Sequence, residues 1–280
     1  MDRKIINKKI VIDNYSKKNS VIYDNSVNKN FLYGDATKKF INKIKIKKKE
    51  TVVADIGCGT GYVFELIIKN NKRKDIKFFG IDPAIGMLEI ARKKIRDKRI
   101  KFIKGSFEKI NLNDKSVDKI ISTFALHWVQ SIDNSLKEMK RVLKSNGSVD
   151  ILMVEKNDGK EFKKLVFRVM KKYLSNKQIF YAANLINRIS KKELIKKFSN
   201  HFNLNNDYKL SIKIKKKRIY GSCNEHISWW KARSIQIISD IKNKKLFIQN
   251  LRKELNKFKT NKGIPFDLSL LEIKLLPKVN

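Results

Sequence analysis

The first half of the chain alternates between short apolar runs and segments whose apolar residues recur at helical spacing. After the second run, for example, Met87, Leu88 and Ala91 fall on one face of a helix. Strands that alternate with helices predict a parallel sheet with helices on both faces, and right-handed crossovers make this a doubly wound, Rossmann-like α/β fold. The predicted strands are "TVVADI" (51–56), "KFFGID" (77–82), "IKFIK" (100–104), "DKIIST" (118–123) and "SVDILMV" (148–154).

The second half is mainly helical, with two strand-like runs. "YKLSIKIK" (208–215) alternates strictly between apolar and polar residues, which indicates a half-buried, antiparallel strand. "FDLSLLEIKLL" (266–276) is also strand-like, and we expect it to return to the main sheet. The helical segments at about 156–202 and 222–260 are then excursions that form a lid.

These patterns divide the chain into three predicted parts. Residues 1–50 are rich in Lys and Asn and contain helical stretches such as "DATKKFINKIKI", so we expect an N-terminal helical cap. Residues 51–155 form the predicted ligand-binding core. Residues 156–280 contribute the helical lid and the final strands of the core sheet.

The composition narrows the class of protein. The chain has 280 residues, 41% of them hydrophobic, but no apolar run of about 18 residues that would predict a transmembrane helix. Its N-terminus has no apolar segment typical of a signal peptide, so we expect a cytoplasmic protein without a membrane partner. Two cysteines and three histidines indicate neither a disulfide framework nor a metal site.

The formal net charge of +38 has two interpretations. Such a charge is typical of proteins that bind nucleic acid or an anionic surface. The excess is mostly Lys spread along the whole chain, however, and Arg, which suits bidentate phosphate contacts, is scarce. We therefore favour drift in composition, with nucleic-acid binding as the alternative and an acidic acyl carrier protein as a possible partner for this surface.

The stretch "VVADIGCGTGYVFELI" (52–67) predicts a strand, a glycine turn and a helix, which is an arrangement typical of ligand binding. A phosphate-binding loop needs a Lys-Ser/Thr pair that is missing here, and a dinucleotide loop needs a third glycine where Tyr62 stands. Asp55 just before the closely spaced glycines favours a cationic or amino-bearing ligand. S-adenosylmethionine carries both a sulfonium and an α-amino group.

"VADIGCGTG" resembles the first motif of class I S-adenosylmethionine-dependent methyltransferases, and further matches follow in order along the chain. "GIDPAIGMLEIARKK" resembles the second motif, "IKFIKGSFEKINL" the third and "SVDKIISTFALHWV" the fourth, while "EMKRVLKSNGSVDILM" resembles the helix and fifth strand of the family. The resemblance implies a seven-stranded sheet with an antiparallel last strand. It also implies S-adenosylmethionine as cofactor, S-adenosylhomocysteine as product and no metal.

The resemblance also implies which residues hold the cofactor. Asp82 ends the second strand, where a carboxylate accepts hydrogen bonds from both ribose hydroxyls. Ser106 stands where the family usually has an Asp that reads adenine. Tyr15 or Tyr23 is expected to cover the methionine end. The predicted cofactor residues are Asp55, Gly57, Cys58, Gly59, Gly61, Asp82, Pro83, Met87, Ser106, Phe107, Phe124 and Tyr23.

The segment "STFALHWV" carries most of the information about the methyl acceptor. It lacks both the proline-containing sequence of amide-nitrogen enzymes and the cysteine of cytosine-C5 enzymes. It is similar to the corresponding segment of small carboxyl methyltransferases that act on malonyl carrier proteins or trans-aconitate. His127 is one candidate catalytic residue, either as a base or as an orienting group, and packing beneath Trp128 is the competing interpretation.

The segment "NEHISWWKARS" (224–234) is the second candidate acceptor site. His226, the second candidate catalytic residue, shares one helical face with Trp229 and Trp230, which is typical either of core packing or of an aromatic lid like those of natural-product O-methyltransferases. We expect Trp128, Trp229 and Trp230 to contact the substrate. We therefore predict an O-methyltransferase of biosynthetic metabolism, monomeric or homodimeric, that acts on a small or carrier-bound molecule. An RNA-directed methyltransferase and a non-catalytic binder of the same cofactor are the alternatives.

Overall fold

A computed structural model describes residues 12, 15 and 18–278 of the chain. Its centre is a seven-stranded sheet with the order β3-β2-β1-β4-β5-β7-β6. The first five strands are parallel, and β7 is antiparallel to both of its neighbours, β5 and β6. The doubly wound fold with an antiparallel last strand is therefore confirmed. The strands are β1 (Val52–Ile56), β2 (Lys77–Asp82), β3 (Ile100–Lys104), β4 (Val117–Thr123), β5 (Leu143–Val154), β6 (Tyr208–Gly221) and β7 (Ile264–Pro277).

Helices cover both faces of the sheet and extend beyond its carboxyl edge. Those of the N-terminal part are α1 (Lys18–Tyr23), α2 (Ser26–Asn30) and α3 (Tyr33–Ile41). The core contributes α4 (Tyr62–Asn70), α5 (Ile85–Lys94), a 3-10 turn (Leu126–Trp128) and α6 (Ile132–Val142). The C-terminal half adds α7 (Lys160–Met170), α8 (Asn176–Ala183), α9 (Lys191–His201), α10 (Cys223–Arg233), α11 (Ile235–Ser239) and α12 (Lys244–Asn256).

The two predicted excursions leave the sheet as expected. Helices α7 to α9 lie between β5 and β6, and α10 to α12 lie between β6 and β7. The division into a cap, a core and a lid stays a prediction, and most of residues 1–17 of the predicted cap lie outside the described residues. No helix in the described part is both long and apolar enough to span a bilayer.

Strands β5 and β6 are longer than the sequence pattern predicts. Strand β5 begins at Leu143, five residues before the predicted start, and its pairing with β4 shifts register between Val117 and Lys119. Strand β6 continues to Gly221 because all of its 14 residues pair with β7. Its outer part carries a run of exposed lysines, a feature that protects an edge strand against pairing with other chains.

Candidate functional site

The glycine turn between β1 and α4 forms the floor of the site. Gly57, Gly59 and Gly61 all have positive φ angles, of 77°, 52° and 82°. A Cβ on Gly57 would lie 2.1 Å from the Cβ of Ala125, whereas a Cβ on Gly59 would meet nothing within 4 Å. Gly57 therefore permits close packing against the loop after β4, while Gly59 presents bare backbone to open space where a ligand fits.

Asp82 joins the end of β2 to this turn. Its carboxylate accepts hydrogen bonds from the backbone N–H groups of Gly59 and Ala84, each at 2.9 Å. Burial nevertheless raises the pKa of Asp82 to about 6, because these two donors only partly replace the lost water. The carboxylate is thus held at the mouth of the glycine turn with spare capacity to accept further hydrogen bonds.

Asp55 lies beneath the turn in β1 and is almost completely buried. Neither carboxylate oxygen has a hydrogen-bond partner in the described structure. Burial, with a smaller contribution from the charge of Asp82, raises the pKa of Asp55 well above its usual range. A buried carboxyl group without partners is destabilising unless it accepts a hydrogen bond or pairs with a cation. A water molecule or a bound ligand would supply such a hydrogen bond.

A cavity of about 830 Å³, counting space open to solvent, lies above Gly57, Gly59 and Asp82; we call it the cofactor cavity. Most of the predicted cofactor residues meet in it. Its lining includes Tyr15, Tyr23, Gly57, Gly59, Asp82, Pro83, Met87, Ser106, Phe107, Phe124 and Trp128.

Three predicted cofactor residues do not line the cofactor cavity. Gly61 faces helix α5, where an added Cβ would lie 2.6 Å from Ile95, so it serves helix packing instead. Cys58 lines a neighbouring cavity of about 540 Å³ on the side of α1 to α3. Asp55 lines neither of these two cavities. A role for Gly61 in direct contact with the cofactor is therefore not supported by the geometry.

A second cavity of about 770 Å³, which we call the acceptor cavity, lies between the core and the lid. Trp128 lines both this cavity and the cofactor cavity, so its indole forms a shared wall. The predicted residues Trp229 and Trp230 also line the acceptor cavity, which places them on a ligand-accessible surface. Its other walls include Val166, Met170, Leu185 and Ile186 from the lid.

An aromatic cluster stands where the cavities meet. Phe124 has an unusual positive φ of 54° at the end of β4, and its ring stacks on Tyr33 with 4.3 Å between centroids. The Tyr33 hydroxyl donates a 2.5 Å hydrogen bond to Asp158, which is fully buried. The guanidinium of Arg233 lies 5.1 to 5.2 Å from the ring centroids of Tyr23, Tyr33 and Trp229.

His127 lines the acceptor cavity and is 2% exposed. Its Nδ1 has no hydrogen-bond partner in the described structure. Burial lowers the pKa of His127 to about 3, with further contributions from the positive charges of Lys163, Arg188 and Arg233. The imidazole is therefore neutral at physiological pH and a weak base, suited to hydrogen bonding with an acceptor more than to removing a proton.

The structure does not support a catalytic role for His226. This residue is fully buried, its Nε2 pairs with the carbonyl oxygen of Ile264 at 2.9 Å, and its ring stacks on Phe162 and Phe266. It lines neither the cofactor cavity nor the acceptor cavity. His226 shares its helix with the two tryptophans, but its side chain packs toward β7 and serves the core.

The N-terminal helices are fastened over the glycine turn by polar contacts. Asp24 accepts a hydrogen bond of 2.6 Å from the hydroxyl of Thr60 and forms an ion pair of 2.7 Å with Lys94. Glu65 pairs with both Lys29 and Lys94. These contacts hold Tyr23 against the cofactor cavity, and its role in covering the methionine end of the ligand stays a prediction.

The sequence interpretation missed several residues that line the acceptor cavity. Tyr33, Lys163, Arg188 and Arg233 come from separate segments of the cap and lid, and no local motif marks them. Among the described residues, no group of three or more His, Cys, Asp or Glu side chains is arranged to hold a metal ion.

The fold is similar to that of class I S-adenosylmethionine-dependent methyltransferases, the family that the sequence motifs resemble. Residues 54–151 match the family model described as methyltransferase domain. The chain is 31% identical over 123 residues to malonyl-(acyl-carrier protein) O-methyltransferase of Priestia megaterium, covering 42% of this chain and 44% of that protein. It is 30% identical over 114 residues to the ubiquinone/menaquinone biosynthesis C-methyltransferase UbiE of Campylobacter jejuni, covering 40% and 48%. The chain thus spans less than half the length of these curated relatives.

Solved structures share the fold over most of the chain. The YcgJ protein of Bacillus subtilis superposes with a TM-score of 0.56 and 18% identity, covering 88% of this chain and 99% of that one. Phosphoethanolamine N-methyltransferase 2 of Haemonchus contortus, in complex with S-adenosyl-L-methionine, superposes with a TM-score of 0.63 and 13% identity, covering 99% and 62%. These similarities extend the shared fold beyond residues 54–151.

Proposed function

We propose that this protein binds S-adenosylmethionine in the cofactor cavity and directs methyl transfer to an oxygen atom of a small or carrier-bound molecule in the acceptor cavity. The observation that carries this proposal is the shared wall at Trp128, which brings a cavity built on the glycine turn next to an apolar cavity under the lid. The matched methyltransferase domain supports the assignment of the first cavity.

The residues of the cofactor cavity fit this ligand. Gly59 leaves open space where a side chain would block the approach to the turn, and the carboxylate of Asp82 is suited to accept hydrogen bonds from ribose hydroxyls. Asp55 lines neither cavity, so the fit of this ligand does not depend on its carboxyl group. The ligand supplies an electrophilic methyl group on a sulfonium. The chain binds it, excludes water with Tyr23 and Trp128, and positions the acceptor.

The choice of oxygen rests on the chemistry of the acceptor cavity. His127 is neutral and weakly basic, so the site favours an acceptor atom that needs little or no proton removal. A carboxylate meets this condition, whereas a protonated amine does not. The similarity to malonyl-(acyl-carrier protein) O-methyltransferases supports the same choice and makes a carrier-bound acyl group one candidate acceptor, although a C-methyltransferase matches equally well in identity.

The shape of the site favours a small acceptor over RNA. The walls of the acceptor cavity are mainly apolar, and its tryptophans and lid helices enclose the space beside the cofactor cavity. An RNA substrate would require an open basic groove at this position. A cytoplasmic location and a monomeric or homodimeric state remain predictions.

Isothermal calorimetry tests the proposal. We expect S-adenosylmethionine and S-adenosylhomocysteine to bind one site per chain at submillimolar concentration. The Gly59→Val variant places a branched side chain in the ligand space and should lose this binding. Transfer of a labelled methyl group to acyl or hydroxyl acceptors then tests the reaction. A protein that binds neither cofactor form at millimolar concentration contradicts the proposal.

A further inference from the structure

Three polar groups of the acceptor cavity lack partners within the described chain. Arg188 makes no hydrogen bond, ion pair or ring contact with any described residue. The indole Nε1 of Trp229 and the Nδ1 of His127 are buried and also without partners. The Trp229 indole N–H and the Arg188 guanidinium only donate hydrogen bonds, so both call for an acceptor such as a ligand oxygen.

Arg188 is held close to the boundary between the two cavities. The backbone N–H of the preceding residue, Asn187, donates a 2.7 Å hydrogen bond to the carbonyl of His127, and its side-chain amide donates to the carbonyl of Val129. Trp128, which lines both cavities, lies between those two carbonyl groups in the chain. The loop that carries Arg188 is thus fastened to the segment that forms the shared wall.

The acceptor cavity carries uncompensated positive charge. Of its three cations, Lys163 pairs with the buried Asp158. Arg233 donates hydrogen bonds to Asn28 and to a backbone carbonyl. Within the described part of the chain, Arg233 has no carboxylate partner and Arg188 is unpaired. No Asp or Glu is among the described residues that line this cavity. A mostly apolar space with an excess of positive charge attracts an anion.

We infer that the acceptor is an amphipathic anion, with its acidic group bound by Arg188 and its apolar body packed against Trp229, Trp230 and Met170. This inference rests on the proposed function, because it assigns the ligand of the acceptor cavity. The acidic group is a carboxylate or a phosphate, which share the planar or tripod arrangement of oxygens that a guanidinium binds through two hydrogen bonds. The Trp229 indole N–H supplies a further donor for the same class of group.

Calorimetry on the complex with S-adenosylhomocysteine tests this inference, because the product form allows binding without turnover. The probes are decanoate, decyl phosphate and decanol, which share one apolar chain and differ in the head group. We expect at least one of the two anions to bind at least 10-fold more tightly than decanol. The stronger of the two anions identifies the acidic group.

Variants of Arg188 separate its charge from its packing. Arg188→Met should weaken binding of the anion about 10- to 100-fold, which corresponds to the loss of a hydrogen bond between charged groups. Its binding of decanol should be unchanged. Arg188→Lys keeps the charge and should retain part of the affinity. Arg168→Met, which removes an exposed arginine of α7, is the matched control and should change nothing.

The outcomes distinguish this inference from the function on which it rests. Failure of S-adenosylhomocysteine to bind the unaltered protein overturns the proposed function. If S-adenosylhomocysteine binds normally, two results overturn the inference alone. One is that decanol binds as tightly as both anions, and the other is that Arg188→Met binds the anion with unchanged affinity. Unchanged melting temperature and cofactor binding in Arg188→Lys show that the fold is intact.

Discussion

Replacing Asp82 with Asn is expected to remove a pH-dependent contribution to the stability of the free protein and to weaken cofactor binding. Burial raises the pKa of Asp82 from 3.8 to about 6, although two backbone N–H groups already donate to the carboxylate. One pKa unit corresponds to 1.36 kcal/mol, so the folded protein disfavours the charged carboxylate at neutral pH by about 3 kcal/mol. An Asn at this position avoids that cost, but its Nδ2 only donates and therefore leaves one of the two backbone N–H groups without an acceptor, which costs about 1 to 3 kcal/mol.

The pH dependence has a definite sign. Because the pKa of Asp82 is higher in the folded than in the unfolded state, the folded protein binds this proton more tightly. Its contribution to the free energy of unfolding is fully present below about pH 4 and is lost as the pH rises through about 6. We therefore expect Asp82→Asn to be less stable than the unaltered protein by about 1 to 3 kcal/mol at pH 4, where only the lost hydrogen bond counts. Between pH 4 and pH 7 this difference should shift in favour of the variant by up to about 3 kcal/mol.

The affinity of Asp82→Asn for the cofactor should be lower than that of the unaltered protein. Hydrogen bonds to a charged group contribute about 1.5 to 3 kcal/mol, so the loss of a charged acceptor for the ribose hydroxyls should weaken S-adenosylmethionine binding about 10- to 100-fold. Urea denaturation between pH 4 and 7 without cofactor measures the change in stability, and calorimetry measures the change in cofactor affinity.

Asp97 provides a control in which the pKa shift has the opposite sign, because its hydrogen bonds to Arg99 lower the pKa of this carboxyl group. Its contribution to stability is present at neutral pH and lost as the pH falls, so Asp97→Asn should be destabilising at pH 7 and leave cofactor affinity unchanged. Parallel pH profiles for Asp82→Asn and the unaltered protein would refute the reasoning. So would unchanged affinity for S-adenosylmethionine.

Three further predictions follow from the site. Gly59→Ala should lower the free energy of unfolding by only about 1 to 2 kcal/mol, because of its left-handed backbone, but should bind S-adenosylmethionine at least 10-fold more weakly. Gly57→Ala should instead unfold more easily in urea, because its Cβ would lie 2.1 Å from the Cβ of Ala125. The pKa of about 3 for His127 predicts a methyl-transfer rate without a histidine inflection between pH 6 and 8, and an inflection there that is absent from His127→Asn would contradict this. His226→Asn should lower the free energy of unfolding by about 1 to 3 kcal/mol, because a carbonyl of β7 loses its partner, while calorimetry shows unchanged cofactor affinity.

The cofactor half of the site was predictable from the sequence because its signals are local. The chain must turn tightly between β1 and α4, and only closely spaced glycines permit the positive φ angles seen at Gly57 and Gly59. Asp82 ends the next strand, and adjacent parallel strands place their carboxyl ends at the same edge. Each residue is therefore located by its own segment and by the order of the strands.

The acceptor half was less predictable because its residues converge from distant segments. Tyr33 comes from the cap, Arg188 from the loop before α9, and Arg233 from the end of α10. Helical spacing correctly grouped His226 with the tryptophans, but spacing does not show which edge of that face packs on the sheet and which lines a cavity. That depends on how α10 is placed over β7, which is a tertiary property.

The same argument changes what the charge of +38 implies. From the sequence, the net charge was consistent either with nucleic-acid binding or with drift in composition. Lysines spread along a sequence do not show where their charges lie close together in the fold. In the fold, Lys163, Arg188 and Arg233 meet in one apolar cavity, and among the residues that the structure describes only Lys163 has a carboxylate partner. A charge in such a space interacts with a ligand far more strongly than a solvated one, because water screens it less. The comparison of Arg188→Met with Arg168→Met therefore tests whether position, and not the number of positive charges, determines what this protein binds.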